Sequence, residues 1–210
     1  MRILAISDIH SEFEMLERLV EKVRADVLAV AGDVTHFRPS DVRTFEAIIE
    51  DFDGEILVVH GNCDHEDSLN RENEKYRFIH GKSHRIGHLT FHGLGGSPIT
   101  PFNTPSEYPE KHYREILENL KYGEVNILLS HSPPYGILDR TYSGINAGNT
   151  VIRENLDKFD LIICGHIHES AGIERAGKRT LVVNPGPLNR GYYSIIEIDE
   201  GVHPTLLKLP

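Results

Sequence analysis

Hydrophobic residues fall along this chain in short unbroken runs. Arg2 to Ser7, Val27 to Ala31, Ile56 to His60, Ile127 to Ser130 and Leu161 to Cys164 are built mainly from Ile, Val, Leu and Ala, without polar alternation. Runs of this kind read as strands buried on both faces of a parallel or mixed sheet. Between them the period changes to that of a helix. Phe13, Leu16, Leu19, Val20 and Val23 mark one helix within Glu12 to Arg24. Ser40 is placed to cap a second that carries Phe45, Ile48 and Ile49. A short helix is expected after Asp64. Two more are expected over Ser106 to Lys121, with Gly123 beyond its end, and over Thr150 to Phe159. Further strands are expected at Arg77 to Ile79, Ser83 to Ile86, Leu89 to Leu94, Thr180 to Val183, Tyr192 to Ile198 and Pro204 to Leu209. The order is βαβαβ at first and richer in strands later, so an α/β architecture is predicted, one parallel-rich sheet packed on a second with helices outside. Pro98 to Pro109 and Pro133 to Asn149 are the long loops. Both follow strand ends, where loops line clefts.

Composition narrows the picture. A chain of 210 residues with 39% hydrophobic content suits a single domain spanning 1–210. No apolar run approaches the ~18 residues of a membrane helix. The N-terminus passes from a strand into polar residues without the regions of a signal peptide. A cytoplasmic location and no membrane partner are therefore expected. The net charge of −10 argues against broad affinity for a nucleic-acid backbone. It leaves room for a local anion site beside bound cations, which dominate their own surroundings. Cys63 and Cys164 form no C-x-x-C pattern and read as free, buried thiols rather than a disulfide or a zinc site.

Each of the five runs ends in a group able to bind a metal. These ends are Asp8-Ile9-His10, Gly32-Asp33, Gly61-Asn62, His131 and Gly165-His166-Ile167-His168. In open α/β sheets, ligands gather at the carboxyl ends of strands. Singly, these residues have simpler readings. An Asp after a strand is a turn former or helix cap, Asn after Gly tolerates a left-handed turn, and His131 fits a core histidine. Together they make seven candidate ligands for a pair of divalent cations. Carboxylate, imidazole and amide donors suit Mn²⁺, Fe, Zn²⁺ or Ni²⁺ better than Ca²⁺.

The motifs D-x-H, G-D, G-N-[H/C]-D, a lone His and G-H-x-H, in this order from Ile3 to about Pro187, resemble the calcineurin-like metallophosphoesterase superfamily. Gly-Asp-Val-Thr-His, His-Ser-Pro-Pro-Tyr-Gly and Asn184-Pro185-Gly186 are similar to its compact bacterial and archaeal branch with a G-N-C-D motif. The resemblance implies a four-layer α/β/β/α sandwich of two mixed sheets flanked by helices. It implies one metal on Asp8, His10, Asp33 and His168, and another on Asp33, Asn62, His131 and His166, with Asp33 as the bridge. Mn²⁺ is the first expectation, with Fe, Ni²⁺ or Zn²⁺ as alternatives. Asp33, Asn62 and His131 would then frame the catalytic centre, where a water between the cations becomes hydroxide and attacks phosphorus. The implied substrate is a small phosphoester, foremost a diester such as a cyclic nucleotide, and a homo-oligomer fits as well as a monomer.

Cys63 departs from the commoner G-N-H-D pattern. Its thiol is a weak substitute for an imidazole that protonates a leaving group or contacts phosphate. His65, two residues on, is a candidate replacement acid. Two other readings stay open, a non-catalytic metal-binding or protein-interaction module on the same fold, and a phosphomonoesterase. His36 is either substrate-facing or a packing residue. His60, His80, His84, His88, His92, His112 and His203 read as structural or surface residues. Asn184-Pro185-Gly186 reads as a tight turn or a phosphate contact. Tyr135 reads as a packed loop aromatic or a stacking surface for a nucleobase.

Overall fold

The computed structural model describes residues 1–71 and 73–210. Its first stretch contains β1 (Arg2–Ile6), α1 (Phe13–Lys22), β2 (Val27–Ala31), α2 (Val42–Ile49), β3 (Glu55–Val59), α3 (Glu66–Leu69) and β4 (Arg77–Phe78). The middle adds β5 (Ser83–Ile86), β6 (Leu89–Leu94), β7 (Ser97–Pro98), β8 (Glu107–Tyr108), α4 (Glu110–Asn119), β9 (Val125–Ser130), α5 (Thr150–Glu154) and β10 (Leu161–Ile163). The chain closes with β11 (Gly172–Ala176), β12 (Thr180–Asn184), β13 (Tyr192–Ile198) and β14 (Val202–Lys208).

Two six-stranded sheets form from these. One runs β14-β13-β1-β2-β3-β4 and the other β11-β12-β10-β9-β6-β5. In each, the four strands that bear or adjoin the motifs are mutually parallel. The outer ones, β13 with β14, and β5 and β11, pair antiparallel. The sheets stack face to face with helices on both outer sides, the four-layer sandwich expected.

The unbroken hydrophobic runs follow from this stacking. Leu4 and Ile6 of β1 and Leu28 and Val30 of β2 face outward into a core shared with Leu16, Leu19 and Val20 of α1 and Phe45 of α2. Ile3, Ala5, Val27, Ala29 and Ala31 face inward and meet Ile127, Leu129, Leu161 and Ile163 of the second sheet. On the far side, Leu128 and Ile162 pack against Tyr113 and Leu117 of α4 and Val151 and Ile152 of α5. Alternate side chains of a strand point to opposite faces, so burial of both faces removes polar alternation from the sequence.

The boundaries differ from the sequence expectation in four places. Ser40 does not cap a helix. Its hydroxyl bonds Asp41, and Pro39–Asp41 form a 3₁₀ turn before α2. Helix α4 starts at Glu110, because Glu107–Tyr108 pair with Ser97–Pro98 as β7 and β8 inside the expected loop. Helix α5 is capped by the Asn149 side chain and gives way to a 3₁₀ turn at Leu156–Lys158, after Asn155. β11 was not expected. Its Glu174 and Arg175 lie exposed on an edge strand, so it lacks the apolar signature of the central strands.

Candidate metal centre

The five strand ends converge. Asp8 and His10 follow β1, Asp33 follows β2 and Asn62 follows β3, all in the first sheet. His131 follows β9, and His166 and His168 follow β10, in the second. The site therefore lies where the carboxyl ends of two sheets meet. One tie across it is direct, since Nδ1 of His131 donates to the Ala31 carbonyl at 2.8 Å.

The motif glycines permit this close approach. A Cβ on Gly61 would strike the Asp33 carboxylate, and one on Gly165 would strike the Ser7 hydroxyl. The neighbouring backbone is strained. Asp8, His10, Asp33 and His166 have φ of 56°, 50°, 51° and 69°, left-handed values that cost a non-glycine residue about 1–2 kcal/mol each. Strain of this kind persists where the surroundings over-determine it, and it clusters at functional sites.

Two groups of side chains share Asp33. In the first, Oδ1 of Asp8 lies 3.2 Å from Nε2 of His168 and 3.9 Å from Nε2 of His10, and those two nitrogens are 3.2 Å apart. Asp33 Oδ2 is 3.6 Å from the His10 nitrogen. In the second, Asp33 Oδ1 is 3.5 Å from Nε2 of His131, which is 2.9 Å from Oδ1 of Asn62. His166 stands a step outside. Its ring lies 4.9 Å from that of His131, and its backbone N–H donates to the Asp8 carboxylate. The structure thus gathers six of the seven residues at near-ligand distances and sets the seventh against them.

Protonation follows burial. Desolvation pushes Asp33 up to about 7, helped by Asp64 and Asp8 and opposed by His131. Desolvation also acts on Asp8, but the hydrogen bond from His168, the charges of His131 and His168 and the Ser7 hydroxyl together hold it well below the usual carboxylate range. Burial lowers His10 to about 4 and His166 to about 3, leaving both neutral at pH 7. Desolvation opposes the charge on His168 too, but its hydrogen bond to Asp8 and the charges of Asp8 and Asp33 outweigh it and raise that ring.

The donor chemistry fits a cation. A carbonyl only accepts, so the bond to Ala31 places the His131 proton on Nδ1. In the neutral ring the Nε2 lone pair then faces the oxygens of Asn62 and Asp33. With Asp33 ionised, three acceptors converge with no proton of their own between them. A divalent metal satisfies such a set, and fixing a ligand histidine through its other nitrogen is a recurrent device.

Two residues unassigned by sequence reasoning hold the centre together. Asp64, the last residue of the G-N-C-D motif, accepts from the backbone of Val34, Thr35 and Gly61 and from the Thr35 hydroxyl, clipping the loops after β2 and β3 to each other. Glu107 accepts from the hydroxyls and backbone N–H groups of Thr100 and Thr104. Desolvation works against its charge, but those four bonds together hold it down at about 2. Because that carboxylate takes the Thr104 proton, Thr104 Oγ1 turns a lone pair to Asn62 and accepts from its Nδ2 at 3.1 Å. The Asn62 amide is thereby polarised in one sense, nitrogen toward Thr104 and oxygen toward His131. The motif itself pointed to Asp64; no sequence pattern pointed to Thr104 or Glu107.

Cys63 is a buried thiol whose backbone N–H donates to Asp33. Burial first, then the nearby carboxylates, push the thiol far above its usual range, so it stays protonated. Cys164 is also free and buried. His65 is exposed and its ring meets none of the seven residues, whereas the exposed ring of His36 lies edge-on to His10 at 5.6 Å. The Asn184 amide is spent on the Gly186 N–H and the Ile167 carbonyl, the tight-turn role. Tyr135 is partly exposed on its loop. His60, His80 and His112 form a separate network. Tyr108 donates to Glu66, so His60 Nε2 donates to Tyr108. Gly95 donates to Nδ1 of His80, so its Nε2 donates to His112. With those protons in place, this cluster reads as a hydrogen-bonded support rather than a second metal set.

A family model described as calcineurin-like phosphoesterase matches residues 1–170. An uncharacterized protein of Methanocaldococcus jannaschii is 37% identical over 196 residues, covering 89% of this chain and 88% of its own length. The crystal structure of a Thermus thermophilus protein, TT1561, matches with a TM-score of 0.72 at 19% identity, over 97% of each chain. A dimetal phosphatase from Danio rerio matches with a TM-score of 0.64 at 10% identity, over 99% of this chain and 98% of its own. At those identities the two structures bear on the fold alone.

Proposed function

The chain belongs to the calcineurin-like phosphoesterases, and from that premise we propose that it is a two-metal phosphodiesterase, one domain over 1–210, acting on small substrates such as cyclic nucleotides. The observation that carries this reading is the convergence of two sheets' strand ends on one set of acceptors with Asp33 between its halves. Asp8, His10, Asp33 and His168 would hold one cation; Asp33, Asn62, His131 and His166 would hold the other. Bound Mn²⁺, with Fe, Ni²⁺ or Zn²⁺ as alternatives, supplies Lewis acidity that activates water and offsets charge on the phosphoryl oxygens. The chain's own part is positional. Asp33 spans both halves, the Ala31 carbonyl fixes the His131 tautomer, and Thr104 fixes the Asn62 amide.

Leaving-group chemistry favours activated esters, diesters among them. A thiol held protonated at Cys63 is a weak hydrogen-bond donor, and His65 makes no contact with the centre. Without a strong acid, esters whose leaving oxygen departs with little protonation react best. The monoester reading stays as the alternative. Among the described residues no helix is long and apolar enough to cross a membrane, and the reading takes the enzyme as cytoplasmic. Metal analysis and a paired assay on bis(p-nitrophenyl) phosphate and p-nitrophenyl phosphate test it. About two metals per chain are expected from a shared carboxylate site, and faster diester cleavage from the diesterase reading. Faster monoester cleavage favours a phosphomonoesterase. No cleavage of either by metal-loaded protein favours a non-catalytic module.

A further inference from the structure

A groove of about 500 Å³ opens beside the candidate metal centre, lined by His168, Tyr142, Arg190, Tyr192 and Lys208 among others. It is continuous with the centre through His168, whose Nε2 is 3.2 Å from Asp8. Arg190 is carried there on fixed backbone. It ends a 3₁₀ turn whose Leu188 and Asn189 N–H groups donate to the carbonyls of Ser7 and Asp8. Gly191, at φ 83°, then returns the chain to β13. The same strand end therefore positions Asp8 and Arg190.

Among the described residues the groove's cations, Arg190 and Lys208, are ion-paired with no carboxylate, and Lys208 donates to the Tyr192 hydroxyl at 3.4 Å. By contrast, Arg2, Arg71 and Arg114 are ion-paired with Glu197, Glu46 and Glu154. Glu169 also lines the groove, but its carboxylate accepts from the Tyr142 backbone N–H at 2.6 Å. Two cations on one groove beside the candidate metal centre, in a chain of net charge −10, give that groove a local attraction for an anion. The aromatics complete the pattern. Lys208 lies 4.5 Å from the ring centre of Tyr192, and the Tyr142 side chain is 82% exposed with no ring packed on it.

We propose that this groove receives one arm of the substrate, and that this arm carries a planar ring and a second phosphate, as a phosphorylated nucleoside does. A guanidinium matches phosphate through paired N–H donors, and an exposed tyrosine offers a sequence-tolerant stacking face. The proposal rests on the phosphoesterase reading, because it places the scissile phosphorus at the adjoining centre.

Two aryl diesters with the same scissile bond test it. One is thymidine 5′-(p-nitrophenyl phosphate); the other carries an added 3′-phosphate. Manganese-loaded enzyme is expected to show a KM about tenfold lower for the bisphosphate, the scale of one charge-assisted contact in an open groove. Arg190→Ala should abolish that preference and Arg190→Lys should restore part of it. Equal KM values in the unaltered enzyme, or a preference that survives Arg190→Ala, overturn the proposal. Failure of the phosphoesterase reading would look different, with neither ester cleaved. Calorimetric titration of the same protein with thymidine 3′,5′-bisphosphate and thymidine 5′-monophosphate then decides the groove alone. Tighter binding of the bisphosphate, lost in Arg190→Ala, supports the site, and equal binding overturns it.

Discussion

Thr104→Val removes one hydroxyl and tests how the centre is held. In the structure Asn62 is 8% exposed, and its Nδ2 donates to Thr104 Oγ1 at 3.1 Å. Among the described residues its one other partner is the Cys63 sulfur at 3.7 Å, a weak acceptor. Valine leaves that amide N–H nearly unsatisfied, at a cost of about 1–3 kcal/mol. A half-turn of the amide relieves it, because the NH₂ then meets the lone pair on His131 Nε2. That turn also withdraws the oxygen from the metal position. Glu107 keeps three of its four donors, so the loop itself should hold. The expected result is about 10- to 100-fold weaker binding at one metal position, with the other unchanged and the melting temperature lowered only slightly. Calorimetric Mn²⁺ titration of metal-free protein measures both affinities. Thr104→Ser should restore binding, which a loss from general loosening would not predict. Two unchanged affinities in Thr104→Val would show that the hydroxyl does not orient Asn62.

Asp33→Ala should lower metal content from about two per chain to below one, since the carboxylate faces both halves of the site; full content by mass spectrometry would disprove the bridge. Cys63→His should speed esters with poor leaving groups more than activated aryl esters, by up to the 10²–10⁴ of a general acid, and an equal effect on both classes would deny this position an acid role. In metal-free protein the melting temperature should rise between about pH 4 and 6.5. His10, His80 and His166 sit at about 4, 4 and 3 in the fold against about 6.5 unfolded, so unfolding takes up protons in that window and stability grows as pH rises through it. Asp33, raised to about 7 from about 3.9, opposes this with a single group, and a flat or falling profile would contradict the burial of these imidazoles.

The central strands were legible because both of their faces are buried, which writes an unbroken apolar run into the sequence. Each run also stops at a candidate ligand, so the convergence of Asp8, Asp33, Asn62, His131 and His168 could be read from the sequence. Edge strands obey no such rule, and β11 hid behind Glu174 and Arg175. The brace on Asn62 was invisible for another reason. Thr104 lies 42 residues from Asn62, in a loop whose polar residues resemble any other loop's until Glu107 is seen to gather them. His65 looked near the centre by number alone. It is exposed, at the residue just before α3.

β1 is made long before its sheet is finished. β1 lies inside its sheet, with β2 on one side and β13 on the other, and Met1 bonds to Ile198, 197 residues on. As the chain leaves the ribosome, every candidate ligand has emerged by His168, yet Asp8 and His10 still hang from a strand with one bare edge. Residues 171–210 lie outside the family match and carry no ligand, but they include the strand that closes that edge. Closure over so great a separation is slow, and an open edge meanwhile invites pairing with other chains. A nascent chain stopped at Gly186 would carry all seven candidate ligands and lack the strand that closes the open edge of β1.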